Sequence, residues 1–123
     1  MLAIVINDEL MIEYNHDVEL GENKLKYLAS LDAKFEAGLE IGGQFVADPD
    51  IQQRARYMAM SLMEGIMYND EKMASVSVSW LATRLPDLKQ VVAHADHDGT
   101  KFELIFDREY TPHVNVEFNP TLN

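Results

Sequence analysis

The densest chemistry-bearing stretch of the chain is His94-Ala95-Asp96-His97-Asp98-Gly99. Two imidazoles and two carboxylates so close together offer a divalent metal both nitrogen and oxygen donors. On a strand, His94 and Asp96 project from one face, and His113 on a neighbouring strand can join them. The candidate metal set is therefore His94, Asp96, His97 and His113. A calcium loop does not fit. With Asp96 and Gly99 at its third and sixth positions, the first and twelfth are His94 and Ile105, not carboxylates. The plainer account is a solvated hairpin tip, where Asp and Gly are expected turn formers.

Other reactive patterns are weaker. No serine sits in a Gly-x-Ser-x-Gly elbow, and Ser75, Ser77 and Ser79 have no histidine close in sequence. The carboxylate pairs Asp48/Asp50 and Glu36/Glu40 read as helix capping and a solvated helix face. Gly38 and Gly42-Gly43 fit neither the dinucleotide nor the Walker pattern. Arg54 and Arg56 point to different sides of a helix, so separate pairings with the acidic first segment are expected rather than one anion site. No catalytic residue and no cofactor are assigned.

The methionines carry more. Met58, Met60, Met63 and Met67 crowd one segment, and Met73 begins the next. Met58 shares a stripe with Ile51, Ala55, Leu62 and Ile66, whereas Met60, Met63 and Met67 step by three and four along another side. A helix apolar on two sides is either central to its own domain or exposes a face for a partner. Because methionine adapts to contact surfaces, Met60, Met63 and Met67 are the candidate interface.

Composition bounds these readings. The chain has 123 residues, 47% hydrophobic and 25% charged, enough for one domain with its own core. The absence of cysteine excludes disulfide scaffolds, thiolate metal sites and thiol catalysis. A net charge of −11 argues against nucleic acid or an anionic membrane surface as the main partner. The longest uncharged run, Met73–Thr83, has 11 residues, too few for a membrane span. The first residues lack a basic region and soon meet Asp8 and Glu9, so no signal peptide is expected and the cytoplasm is the expected compartment.

The elements that must position these residues follow from periodicity. Ala3–Ile6 and Leu10–Tyr14 alternate around the polar turn Asn7-Asp8-Glu9, predicting a hairpin. From Glu22, Leu25, Leu28, Leu31 or Asp32, Phe35 and Leu39 mark a first helix, which Gly42-Gly43 weakens near its end although Ile41 and Phe45 extend its stripe. Asp48-Pro49-Asp50 predicts the start of a second, with Asp48 as cap and Pro49 in the first helical position. That helix runs to about Tyr68. Asp70 caps a third over Glu71–Leu85, ending before Pro86. Residues Ser75–Trp80 also alternate as a strand would, but the helical flanks favour helix. Lys89–Ala95, Lys101–Phe106 and His113–Phe118 complete an antiparallel meander.

The expected fold class is α+β: an N-terminal β-hairpin, three helices and a C-terminal antiparallel β-meander, in one domain over residues 1–123. Segregated strands and helices imply an antiparallel sheet with the helices on one face. The functional expectation is a small, acidic, non-enzymatic protein acting through protein–protein contact, as a homodimer or with another protein. The alternative is a metal- or ligand-binding protein using the 94–98 hairpin.

Overall fold

A computed structural model describes residues 1–111. Its elements are β1 (Leu2–Ile6), β2 (Glu9–Tyr14), α1 (Glu22–Ala37), β3 (Leu39–Ile41), β4 (Gln44–Val46), α2 (Ile51–Met67), α3 (Glu71–Arg84), β5 (Gln90–Asp96) and β6 (Gly99–Ile105). The α+β class, the N-terminal hairpin and the three helices are as the sequence predicts. The strand expected over His113–Phe118, and with it His113, lies outside the described residues.

The main sheet has the order β2-β1-β5-β6. Its outer pairs are antiparallel, but β1 and β5 run parallel, with Ile4 opposite Val91. The sheet is therefore mixed, which corrects the fully antiparallel expectation. The whole helical segment serves as the crossover that parallel neighbours require. Asn7 then extends this pairing beyond β1: its Oδ1 accepts from the Ala95 backbone N–H at 2.9 Å and its Nδ2 donates to the Ala95 carbonyl at 3.3 Å. Asn7 and Asp8 adopt φ of 50° and 68°. They form a two-residue turn that matches strand twist, so Glu9 belongs to β2 and not to the turn.

Residues 39–46 depart from the helical expectation. Gly38 ends α1 at φ 122°, and Gly42 and Gly43 at 60° and 82° turn β3 back onto β4. These backbone conformations are open to glycine and strained for other residues, so the Ile41 and Phe45 positions fall on a small hairpin instead of prolonging α1. The Phe45 ring lies where a Cβ on Gly38 would stand.

Both later helix caps are carboxylates. Asp50, not Asp48, caps α2: its Oδ1 accepts from the Gln53 N–H at 2.8 Å, while Gln53 Oε1 accepts from the Asp50 N–H at 2.9 Å. This reciprocal box outcompetes capping by Asp48, which adopts φ 48° and instead pairs with Arg54 at 3.0 Å. Asp70 caps α3 through the Met73 N–H at 3.1 Å. Residues Ser75–Trp80 are helical. The α2 and α3 helices touch closely at Gly65, where a Cβ would stand 2.7 Å from the Ala74 backbone nitrogen.

The core joins Leu2, Ile4 and Val91 of the sheet to Leu28, Phe35, Met58, Leu62, Trp80 and Leu81 of the helices. Phe35 meets Trp80 edge-on, ring centroids 5.6 Å apart. Trp80 Nε1 donates to Asp32 Oδ1 at 2.8 Å, and Arg84 Nε donates to Asp32 Oδ2 at 3.0 Å. The buried indole is thereby satisfied and α1 is tied to α3. On the opposite face of the sheet, the segment after β6 crosses Gln90, whose Nε2 donates to the Arg108 carbonyl at 3.1 Å. Beside it, a hydrogen bond from Lys89 holds the exposed Glu109 carboxyl below the ordinary glutamate pKa. No helix among the described residues is long and apolar enough to cross a membrane.

Candidate functional site

The hairpin tip brings together only part of the expected metal set. Asp96, His97 and Asp98 hold one ligand atom each within 4.8 Å of one another, and all three residues are exposed. Asp96 Oδ1 already accepts the Asp98 N–H at 2.8 Å, closing the local turn. His94 stands exposed on β5, opposite Lys101 in the ladder, and is not in this group. The reason is local: His97 and Asp98 form the turn itself, since Asp96 pairs with Gly99, so their side chains leave the strand alternation that His94 follows.

The candidate methionines divide. Met63 is buried at 1% exposure, within the protein's own core, and so is not available as a surface contact. Met60 and Met67 are exposed at 38% and 54%. Positions 56, 60 and 67 lie four and seven residues apart and share one row along α2, while position 63 turns slightly inward from it. Arg56 heads this row, its guanidinium over the Phe102 ring of β6 at 5.2 Å from the centroid.

Sequence reasoning missed what lies beside that row. Between the start of α2 and β6 runs a groove of about 420 Å³ whose lining is mostly apolar, Ile51, Leu85, Phe102, Leu104 and Phe106 among it, with Arg56 and Glu103 as its charged members. Ile51 and Phe106 at its walls are 47% and 44% exposed. The alternation of Phe102, Leu104 and Phe106 was the available signal, but it reads equally as an ordinary core-facing strand. Only the topology shows that, among the described residues, β6 is the last strand of the sheet, with its apolar side chains partly open.

A second recess of about 310 Å³ lies among the helices, lined by Tyr27, Leu31, Tyr57, Val76 and Ser77. Near it Lys24 Nζ donates to Ser75 Oγ at 2.6 Å, bracing α1 against α3. The serine run has further structural uses: Ser77 and Ser79 are buried, and Ser79 Oγ is 3.2 Å from the Tyr14 hydroxyl. His16 Nε2 lies 3.0 Å from the Leu88 carbonyl oxygen, a contact that ties the loop after β2 to the start of β5. Arg54 pairs with Asp48, as expected, whereas Arg56 stacks on an aromatic ring.

Comparison of the chain with protein-family models, with curated proteins and with solved structures finds no match.

Proposed function

We propose that this chain is a non-enzymatic protein that works through protein–protein contact, with a second copy of itself as partner and the cytoplasm as its setting. The contact surface is the α2–β6 groove at the start of α2, with the exposed Met60 and Met67 continuing the row of Arg56 further along that helix. One observation carries this reading: Ile51 and Phe106 stand about half exposed at the walls of a largely apolar groove, beside a strand edge that no other described strand pairs with. Exposed apolar side chains are ordinary when scattered singly, but grouped around a groove they mark a contact site. Covering them removes apolar surface from water at roughly 25 cal/mol per Å². The net charge of −11 turns the molecule away from nucleic acid.

Light scattering on the purified chain tests this directly. The expected result is a particle of twice the 14.0 kDa chain mass. A monomer at all accessible concentrations rejects self-contact.

A second reading, divalent-metal binding at the hairpin tip, is supported by the ligand atoms of Asp96, His97 and Asp98 within 4.8 Å. Binding to the folded state alone raises the melting temperature by mass action. Zinc or nickel at millimolar concentration that leaves melting unchanged removes this reading.

A further inference from the structure

Among the described residues no strand pairs with the outer edge of β6, and the groove beside that edge is apolar. Such an edge presents unpaired backbone donors and acceptors and is a template for another strand. The side chains of β6 decide which strand fits. Phe102 and Leu104 face the helices, whereas Lys101 and Glu103 stand exposed on the opposite face, one on each side of Phe102.

Consider a second β6 laid antiparallel against the first, related by a two-fold axis perpendicular to the sheet. Both helical layers then lie on the same side of the joined sheet, so facing residues must come from the same face. Registers shifted by one residue set inward side chains against outward ones and are excluded. With Glu103 on the axis, Glu103 meets its own copy; with Lys101 there, Lys101 meets its own. Only with Phe102 on the axis does each Lys101 face a Glu103, twice over by symmetry. Opposite charges directly across a ladder stabilise it and like charges oppose it.

We propose that the edge of β6 with which no described strand pairs is occupied by β6 of a second copy of this chain, paired antiparallel about Phe102 so that Lys101 of each faces Glu103 of the other. This rests on the self-contact proposed above and specifies its geometry. The result is one continuous eight-stranded sheet, with the two α2 helices on the same side of it and the groove at the seam. Charges on edge strands commonly serve to prevent pairing. Here they alternate in sign about an aromatic centre, which makes the edge complementary to itself.

Charge reversal tests the register in the full-length protein. Lys101→Glu and Glu103→Lys each place like charges opposite one another twice, and each variant alone is expected to dimerise on the order of tenfold more weakly. Mixed in equal amounts, they restore both opposite-charge pairs, and native mass spectrometry is expected to show the heterodimer in excess over either homodimer. Both residues are exposed, so folding is checked simply by circular dichroism. If both variants dimerise as tightly as the parent while Met60→Glu and Phe106→Glu do not, self-contact stands and this register is overturned. A monomeric parent overturns both the register and the self-contact reading. In that case, strong protection from hydrogen exchange at those β6 amides that point away from β5 would give the edge to the chain's own residues 113–118.

Discussion

The guanidinium of Arg56 lies over the ring of Phe102, 5.2 Å from its centroid, and joins the middle of β6 to the first half of α2. Both residues line the groove between α2 and β6. Long cationic side chains can cover apolar surface with their stems while the head stays wet. Arg56→Ala removes both the stem and the cation–π contact. The expected loss is about 0.5–1 kcal/mol of folding stability, read from the urea midpoint at unchanged slope. Arg56→Lys keeps a charge but loses the flat stacking surface, so it should recover only part of that loss.

Methionines separated by a single helical step should respond in opposite ways to one substitution. Met63→Glu buries an unpaired carboxylate at a position 1% exposed, which is expected to cost at least 3 kcal/mol and unfold much of the population. Met60→Glu sits at 38% exposure and should leave the melting temperature of the monomer nearly unchanged. Its expected effect is on assembly, seen as a fall in light-scattering mass. Equal destabilisation by the two changes would show that Met60 belongs to the core as well.

That division was invisible in the spacing. Met60, Met63 and Met67 form one row on a helical wheel, and the few tens of degrees that turn Met63 inward depend on how α2 sits above the sheet. The start of α3 was legible because Asp70 caps its own neighbour Met73 through a hydrogen bond from the backbone N–H. At α2 the expected cap, Asp48, falls two residues early: acids flank Pro49 on both sides, and only Asp50 has Gln53 three residues on to close the box. By contrast, the parallel β1–β5 pair joins residues nearly ninety positions apart, such as Ile4 and Val91, and no local signal encodes it. Residues 39–46 were misread because Leu39, Ile41 and Phe45 suit either period; the glycines at 42 and 43 decide for a turn through their positive φ. The groove required knowing which strand is at the edge. The hairpin tip, entirely local, was legible in its residue types; His94 stands apart because its side chain follows the strand, and His113 lies outside the described residues.

A structural prediction attaches to Asp32, which accepts from Trp80 Nε1 and from Arg84 on its two oxygens. Asp32→Ala leaves a wholly buried indole N–H without its partner and strips Arg84 of its counter-charge. A loss of about 2–3 kcal/mol is expected from the unsatisfied donor and the broken charged hydrogen bond. Asp32→Asn keeps an acceptor for Trp80 and should lose less. Thermal melts followed by tryptophan fluorescence separate the two, since Trp80 is the chain's one tryptophan. Equal losses in both variants would assign the stabilisation to the Arg84 ion pair alone.

Salt sets two electrostatic effects against each other at the proposed dimer seam. Each chain carries a net charge of −11, so two copies approach against a repulsion spread over both bodies. The Lys101–Glu103 pairs attract only across the seam, at contact distance. At ~0.1 M salt the screening length is ~10 Å, which suppresses the distributed repulsion far more than an interaction between touching groups. The dimer is therefore expected to tighten as sodium chloride rises from ~20 to ~150 mM, with Kd falling severalfold in sedimentation equilibrium. The mixed pair of Lys101→Glu and Glu103→Lys chains should follow the same trend, because their complementary contacts and summed charge match the parent's. Weaker association with added salt would mean that attraction between fixed charges dominates the interface, and the groove's apolar lining would then not be what holds the copies together.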